Sequence, residues 1–431
     1  MLRIANLRGV FTGEGFAKMQ GRWPCAEDCS FREGPLDLIC CPTSGRIVDL
    51  VPTGRASTFP LTDTLDGSGL IATSAWIDSH THALFAGHRS TEFFARWAGK
   101  TYCEISDNGG GIHNTIRDTS ATSNATLAQD FEHRLRQMLA AGTAVVEVKT
   151  GYGATASDER RMLQIIADVR HRPGLPEVVS TYLGLHTVPR DVSRSTHVAS
   201  MTAAVEEIAK NQLARFVDAF PEQGFYTLEE SQGLLEAGCR HGLGVKVHAD
   251  EITDMGASLA GIRLGAASID HLEHISDAAV TALRDSPTVA TLLPATSLFL
   301  GIGFADARRL IHAGARVALA TDFNPGSAPA SDLQLTMLLA ASQLKMTAPE
   351  IFCAVTYNAA GALGMDATHG VLATGKAANI ALWKTSSPLS VASNIEGLEQ
   401  IIIQRTQPIA VVVRGQLSAG QIPFDSARLP Q

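Results

Sequence analysis

The chain has few cysteines for its length and none of the close pairs that mark a structural zinc site. Seven cysteines are scattered over 431 residues, and no CxxC pair occurs among them. An odd, scattered set is not the framework of a disulfide-stabilised secreted protein, and it favours a reducing compartment. We therefore expect free thiols and a cytoplasmic protein, and we discount a structural zinc site at Cys25 and Cys29.

Strong charge and long uninterrupted apolar segments are also absent. The formal net charge of −8 is diluted over a chain with 18% charged and 45% hydrophobic residues, which argues against nucleic acid as a partner. The uncharged stretch 286–305 is interrupted by prolines and glycines, so no membrane span is expected. The first residues lack the apolar core and cleavage site of a secretory signal. We expect a soluble protein that acts on a small molecule.

Between about residues 70 and 365, short runs rich in valine, isoleucine and alanine alternate with amphipathic stretches of helical length. This alternation is typical of βα units around a parallel sheet. Eight runs have this character: Leu70 to Ile77, Ala144 to Lys149, Val178 to Leu183, Arg215 to Phe220, Gly244 to His248, Ala267 to Asp270, Val289 to Leu293, and Arg316 to Ala320. Eight units predict an α/β fold, a TIM (β/α)8 barrel, because an open doubly wound sheet would leave some strands unexplained.

The two chain ends have a different pattern. They contain short alternating segments such as GRIVDLV and IAVVVRGQL, separated by glycine and proline turns, which is typical of antiparallel strands. Neither end is long enough for a stable sheet alone. We therefore predict one small β-sandwich domain built from residues 1–69 plus 366–431, and a metal-dependent catalytic barrel domain from residues 70–365.

The first predicted barrel strand is followed by Asp78-Ser79-His80-Thr81-His82. The two-residue period of a strand turns both imidazoles to the same side. An HxH pair on its own is more often incidental than metal-binding, so the hypothesis depends on what the other strand ends supply.

Two further strand ends supply metal-competent side chains. His248 ends the fifth predicted strand and Asp322 follows the eighth. Each has a plainer interpretation, His248 as a satisfied interior histidine and Asp322 as a helix N-cap. Side chains at the carboxyl ends of barrel strands converge on one mouth, however, so both can meet His80 and His82. Three imidazoles and one carboxylate, with a position left for water, predict one catalytic zinc or iron ion.

The remaining strand ends also carry polar side chains. Lys149, Thr150 and Tyr152 follow the second strand, His186 follows the third, and His271 follows the sixth. The fourth strand ends in FVDAF, with no lysine that could be modified to bridge a second metal. We therefore expect a single metal ion, and we interpret Asp218 as structural.

Together these stretches resemble the imidazolonepropionase family of the amidohydrolase superfamily. The resemblance runs from Ala75 to about Gly364 and rests on DSHTHALFAGHRSTEF, the run Gly109-Gly110-Gly111-Ile112, VEVKTGYG, GLHTVP, VKVHADE, DHLEH and ATDFNPGSAP. It implies hydrolysis of the cyclic amide of 4-imidazolone-5-propanoate to N-formimino-L-glutamate, a step of histidine degradation. It also suggests a homodimer.

Residue by residue, the resemblance implies a metal site and a substrate pocket. The metal ligands are His80, His82, His248 and Asp322, for one zinc or iron ion. The pocket comprises Arg89, Tyr102, Tyr152, His186, Glu251, Asn324, Gly326 and Ser327.

These residue types suit hydrolysis of a cyclic amide. A bound metal lowers the pKa of water toward about 7, which supplies a nucleophile at neutral pH. Glu251, three residues beyond His248, is the expected general base. We expect His186 or the metal to stabilise charge on the ring carbonyl oxygen. His271 is a second candidate for this role, and otherwise supports the water or orients ligands. Asp322 is a candidate for carrying the proton to the leaving nitrogen.

Arg89 is the candidate for binding the propionate. It follows His82 by seven residues, and its planar fork suits a carboxylate, although a solvated arginine on a helix face is the plainer interpretation. The alternative function is another mononuclear amidohydrolase, such as a cyclic-amidine or nucleobase deaminase, which would use the same ligands but release ammonia. A barrel without catalytic activity is a third hypothesis, and the intact ligand set argues against it.

Overall fold

The structure is a computed structural model, and it describes residues 1–55, 59–100, 110–190, 192–385 and 395–422. The strands are β1 Leu2–Phe11, β2 Phe31–Cys41, β3 Arg46–Pro52, β4 Asp63–Asp66, β5 Leu70–Ser74, β6 Trp76–Asp78, β7 Thr143–Lys149, β8 Glu177–Leu185, β9 Phe216–Ala219, β10 Gly244–Ala249, β11 Ser268–His271, β12 Val289–Leu292, β13 Arg316–Leu319, β14 Ile380–Lys384, β15 Ala410–Val413 and β16 Gln416–Gly420. The α-helices are α1 Ser90–Trp97, α2 Ile112–Ala121, α3 Asn124–Ala140, α4 Ala156–Val169, α5 Arg194–Lys210, α6 Leu228–Arg240, α7 Ala257–Arg263, α8 Asp277–Leu283, α9 Pro294–Leu300, α10 Ala307–His312, α11 Leu333–Ser342, α12 Ala348–Ala354, α13 Tyr357–Ala362 and α14 Glu396–Gln404.

Strands β6 to β13 form a parallel sheet in which each strand pairs with the next one along the chain. A parallel bridge between Thr81 and Phe323 joins the ends of this sheet, so the eight strands close into a barrel. The predicted TIM barrel is thereby confirmed. The barrel places the carboxyl ends of all eight strands around one mouth.

The predicted first strand, Leu70 to Ile77, is in fact two strands of different sheets. Strand β5 pairs with β1 and β14, and only after Ala75 does the chain enter the barrel as β6. Both strands are buried along their whole length. An apolar run that is buried throughout carries no signal for the point at which it leaves one sheet and joins another.

Both chain ends contribute to the second sheet, whose strand order is β16-β15-β14-β5-β1-β2-β3, with β4 paired to β1. Arg46 at the start of β3 also bridges to Ala377, just before β14, so the sheet curls back on itself around its own apolar core. Trp383 of this sheet contacts Trp76 of the barrel at 5.1 Å between ring centroids. The domain bounds at residues 69/70 and 365/366 stay a proposal.

Inside the barrel, charged side chains lie above an apolar layer. Val145 and Phe216 lie in an apolar cluster within the barrel. Two residues further along the same strands, Glu147 and Asp218 face the same interior. We call the buried ionisable residues at this level the charged layer: Glu147, Lys149, Asp218, Lys246 and Asp270, each with 0% exposure. No helix in the described part of the chain is long and apolar enough to cross a membrane.

Candidate active site

The segment after β6 is held between the ends of β7 and β13. The backbone N–H of Asp322 donates to His80 O at 3.0 Å, and that of His82 donates to Phe323 O at 2.9 Å. On the other side, the backbone N–H of Lys149 donates to Thr81 O at 2.8 Å. These bonds continue the barrel ladder beyond the strand proper, so the two imidazoles are fixed by backbone on both sides.

Three of the predicted metal ligands come together at the barrel mouth. One nitrogen from each of His80, His82 and His248 lies within 4.8 Å of the others. The fourth predicted ligand is adjacent, because Asp322 Oδ1 lies 3.5 Å from Nε2 of both His80 and His82. All four residues are at most 3% exposed.

Two carboxylates of the charged layer orient two of these histidines. His80 Nδ1 lies 2.7 Å from Asp270 Oδ2, and His248 Nδ1 lies 3.0 Å from Asp218 Oδ2. Burial alone would raise the pKa of Asp218, but His248 and Lys149 hold it well below its ordinary value, so Asp218 is ionised. Asp270 therefore accepts a hydrogen from His80 Nδ1 and leaves the Nε2 lone pair of His80 facing the mouth, whereas Asp218 lies beside His248 Nδ1 without the geometry of a hydrogen bond.

The arrangement of these nitrogens fits a metal ion. The Nε2 atoms of His80 and His248 are buried and have no hydrogen-bond partner among the residues that the structure describes. Burial and the neighbouring positive charge of Lys149 lower the pKa of His80 well below its ordinary value, so its ring is neutral. Neutral imidazoles with lone pairs aimed at one point, beside a carboxylate, are suited to a divalent cation.

Asp322 lies in a strained backbone conformation, with φ of 53°. Its backbone joins the β6 extension, and Thr296 Oγ1 donates to its Oδ2 at 2.7 Å. Burial raises the pKa of Asp322 to about 6. The side chain therefore presents Oδ1 to the histidines while Oδ2 is held, and a positive φ at a non-glycine residue is typical of functional sites.

A cavity of about 560 Å³ opens above the histidines. Polar groups from several strand ends line it, together with apolar side chains that include Phe220, Ile252 and Leu300. Glu251 lies in this lining with His271, whose Nε2 is 3.7 Å from Glu251 Oε2. Burial, then the charges of Glu273 and Asp322, raise the pKa of Glu251 well above its ordinary value. The cavity is large enough for a small organic substrate.

His186 and Tyr152 form one side of the cavity. His186 lies stacked on His82 with 5.1 Å between ring centroids, and its Nδ1 lies 3.0 Å from Gly151 O. A carbonyl only accepts, so the hydrogen of neutral His186 is on Nδ1 and Nε2 is an acceptor. Burial lowers the pKa of His186 to about 3, which keeps the ring neutral. In this tautomer His186 has no hydrogen to donate to a carbonyl oxygen from Nε2, contrary to the role expected from the sequence.

Arg89 lines the same cavity and is held by Glu92. Its Nε and Nη2 donate to Glu92 Oε2 at 2.9 and 2.8 Å, and Gly111 N–H donates to Glu92 Oε1 at 3.0 Å. The guanidinium rests against Gly326, where an added methyl group would overlap Nη1. The side chain is therefore a positioned arginine, and Gly326 provides the space for it.

Asn324 and Ser327 shape the loop after β13. Asn324 Oδ1 accepts from the backbone N–H of Gly326 at 2.8 Å and of Ser327 at 2.7 Å, and its Nδ2 donates to Asp322 O at 2.6 Å. Both side chains line the cavity. The amide oxygen and nitrogen of Asn324 thus mainly fix this loop. A hydrogen bond from Asn324 to the substrate would use atoms that are already bonded within the loop.

Tyr102 lies outside the described residues, so its predicted contact has no structural counterpart. Sequence reasoning missed other residues of the site. Arg96, which lines the cavity, is two helical turns beyond Arg89, and this spacing is a usable signal. Thr296 follows the seventh predicted strand and could have been found by extending the strand-end argument to that strand. The apolar lining from Phe220 and Ile252 has no such signal.

The sequence of the chain is similar to a family model and to the sequences of known enzymes. A model of the amidohydrolase family matches residues 71–417. The chain is similar to an imidazolonepropionase of Symbiobacterium thermophilum, with 42% identity over 351 residues that cover 79% of this chain and 82% of the relative. It is also similar to an imidazolonepropionase of Christiangramia forsetii, with 38% identity over 325 residues that cover 74% of this chain and 79% of that one.

Solved structures share the architecture at low identity. An adenosine deaminase from Xanthomonas campestris with bound zinc superposes with a TM-score of 0.73 and 16% identity, covering 97% of this chain and 93% of that one. An atrazine chlorohydrolase from Arthrobacter aurescens TC1 complexed with zinc gives 0.67 and 18%, covering 97% and 95%. At this identity the likeness shows the fold alone.

Proposed function

The chain belongs to the amidohydrolase family, and within it to the imidazolonepropionases, and from this premise we propose that it hydrolyses the cyclic amide of 4-imidazolone-5-propanoate to N-formimino-L-glutamate. One structural observation on this chain supports the proposal independently of the family relationship. Two histidines of the buried group of three, His82 and His248, line the same cavity as the positioned Arg89. The histidines suit hydrolysis of the ring, and the arginine suits the carboxylate of the side chain.

We assign the metal to the three histidines and Asp322, as zinc or iron, because three imidazoles and one carboxylate accept either ion. When bound there, a divalent metal lowers the pKa of water toward about 7 and polarises a carbonyl oxygen. Elemental analysis of the purified protein distinguishes the two ions.

Glu251 is the residue that we propose as general base. It faces the cavity near the histidines, and its raised pKa makes it more basic than an exposed glutamate. It takes the proton of the attacking water, and His271, 3.7 Å away, orients its carboxylate. Asp322 is the second proton carrier that we propose, since its carboxylate lines the cavity beside the histidines.

His186 receives a role that differs from the one expected from the sequence. Because its hydrogen is on Nδ1 and bonded to Gly151 O, its Nε2 accepts a hydrogen bond from a ring N–H of the substrate. Arg89, held by Glu92 in the lining of the same cavity, pairs with the propionate carboxylate. The ring and its tail then each have a partner in the pocket, which orients the amide.

The deciding experiment follows the ultraviolet absorbance of 4-imidazolone-5-propanoate with metal-loaded protein, with ammonia measured in parallel. We expect the imidazolone band to disappear without ammonia, and Asp322→Ala to abolish the change. Release of ammonia would favour the deaminase alternative. An unchanged band with one metal bound per chain would refute the substrate and leave the amidohydrolase assignment in place.

We also propose a cytoplasmic homodimer, from the scattered free thiols and from the resemblance to the family. Light scattering of the purified protein tests the oligomeric state, and cell fractionation tests the compartment.

A further inference from the structure

The charged layer beneath the histidines is organised around one lysine. Lys149 Nζ lies 2.8 Å from Asp218 Oδ2, 2.9 Å from Glu147 Oε1 and 3.5 Å from Asp270 Oδ2. All of these residues have 0% exposure, so no water screens the contacts. The ammonium is the common neighbour of the two carboxylates that face His248 and His80.

The second buried lysine is bonded differently. Lys246 Nζ donates to Ser268 Oγ at 2.7 Å and to Ser79 O at 3.1 Å. Its nearest approach to Asp270 is 3.7 Å, and it reaches that carboxylate mainly through Ser268, whose hydroxyl bonds Asp270 Oδ1. Two equally buried lysines of the charged layer thus differ at Asp218, which Lys149 contacts at 2.8 Å, whereas both lie within 4 Å of Asp270.

Both carboxylate oxygens of Asp218 act as hydrogen-bond acceptors. Its Oδ1 accepts from the backbone N–H of Ala219 at 2.7 Å and of His248 at 3.2 Å. Its Oδ2 accepts from Lys149 Nζ at 2.8 Å and lies 3.0 Å from His248 Nδ1. Donors bond both oxygens of the carboxylate, so no orientation of a neutral amide at this position satisfies all of them.

We propose that Lys149 is a positioning residue for the metal site: it fixes Asp218 beside the imidazole of His248 and Asp270 against Nδ1 of His80, and so sets the orientation of both rings toward the metal. The inference rests on the proposed metal site but not on the proposed substrate. It changes the interpretation of Asp218, which then orients a ligand in addition to supporting the barrel. A lysine serves here because two buried carboxylates need a compact cation between them.

The test compares Lys149→Met with Lys246→Met, two substitutions of equal chemistry and burial. Zn²⁺ affinity is measured by competition with a chelator, and thermal unfolding is recorded for the metal-free protein with and without Zn²⁺. We expect Lys149→Met to weaken Zn²⁺ binding about 10- to 100-fold, the usual effect of removing a partner that orients metal ligands. The rise in Tm on adding Zn²⁺ shrinks accordingly. Lys246→Met is expected to lower the metal-free Tm but to change Zn²⁺ affinity less.

A merely structural role gives a different result. Both variants would then lose Tm by similar amounts, with the Zn²⁺ affinity and the Zn²⁺-dependent rise in Tm unchanged, and this outcome would overturn the proposal. Because the readout is metal binding, failure of the imidazolone assay has no bearing on it.

Asp218→Asn keeps the inference testable if Lys149→Met does not fold. The amide matches the carboxylate in size, but its NH₂ group must face a hydrogen-bond donor in either orientation. That donor is the backbone N–H of Ala219 in one orientation and Lys149 Nζ in the other. The negative charge beside His248 Nδ1 is lost at the same time, and Zn²⁺ affinity falls about tenfold or more. Wild-type Zn²⁺ affinity in folded Asp218→Asn would contradict the proposal.

Discussion

The floor and the wall of the cavity differ in how their polar groups are buried and paired. We define the floor as the four proposed metal ligands with the charged layer beneath them, and the wall as Arg89, Tyr152, His186, Glu251 and Gly326. In the floor, charged groups are at most 3% exposed, and several of them lie 2.7 to 3.0 Å from an oppositely charged group or a histidine. In the wall, polar groups face an open space between apolar side chains.

This difference separates two tasks. A buried charge costs several kcal/mol unless it is paired, so the floor is stable only in one arrangement and holds its geometry whatever the ligand. The wall carries fewer internal constraints and meets the substrate directly. We infer that substitutions in the wall change turnover or substrate binding while metal binding persists, whereas substitutions in the floor change metal binding first.

The largest effect of a wall substitution is expected at Glu251. Glu251→Gln removes the proposed base but keeps the size of the side chain, so kcat should fall about 10²- to 10⁴-fold while Zn²⁺ affinity stays near the wild-type value. Steady-state kinetics and chelator competition on the same preparation measure both quantities.

The matched control for this prediction is Glu273→Gln. Glu273 is also a buried glutamate with a pKa raised by burial, to about 7, but it is bonded to Ser297 and does not line the cavity. Turnover is expected to fall far less than in Glu251→Gln, because Glu273 acts on the reaction only through its charge, which helps to raise the pKa of Glu251. The contrast between floor and wall breaks down if Glu251→Gln loses metal as readily as Asp322→Ala.

A smaller effect, on KM, is expected at Arg89. Arg89→Lys replaces a planar fork by a point charge, so KM should rise about 10- to 100-fold with little change in kcat. Gly326→Ala should act in the same direction, because the added methyl group overlaps the guanidinium. Initial rates over a range of imidazolone concentrations measure both.

Gly303→Ala provides the control for the glycine substitution. Gly303 follows the cavity residue Ile302, and a methyl group there meets no atom within 4 Å. Its KM should match the wild type. An unchanged KM in Arg89→Lys would remove Arg89 from the pocket and leave the carboxylate without an assigned partner.

The sequence allowed the barrel and the set of metal-competent residues to be predicted for one physical reason. Carboxyl ends of barrel strands meet at one mouth, so His80, His248 and Asp322 could be placed together without knowing any distance. The same rule fails within β5 and β6, because continuous burial conceals the change of sheet.

The hydrogen-bond and ion-pair partners of the site residues are harder to predict from the sequence than the positions of these residues on the strands. The strand period indicates that Lys149 faces the barrel interior, but only the distances show that it touches Asp218 and Asp270. The tautomer of His186 depends on a bond to the carbonyl of Gly151, a backbone atom that any residue would supply. The pairing of Arg89 with Glu92 follows a helical spacing of three and was within reach of sequence reasoning.

The smallest effect on activity is expected behind the wall, at Glu159. This carboxylate accepts hydrogen bonds from the backbone N–H of Gly151 at 3.0 Å and of Gly153 at 2.6 Å, and so holds the loop that carries Tyr152. Burial raises its pKa from 4.5 to about 7. The folded chain therefore keeps a proton that the unfolded chain releases above pH 4.5, so this group favours folding most at low pH and the contribution is lost as the pH rises to about 7.

Glu159→Gln should remove that pH dependence and leave kcat almost unchanged at neutral pH. Between pH 5 and 7, the free energy of unfolding of the wild type relative to Glu159→Gln should decline by about 1 kcal/mol per pH unit, and the difference should level off above pH 7. Urea unfolding at several pH values measures it. A difference that does not vary with pH would mean that Glu159 is ionised throughout. A buried negative charge would then hold the loop that carries Tyr152. The support of the wall would in that case resemble the floor, and the distinction between the two would apply only to residues that line the cavity.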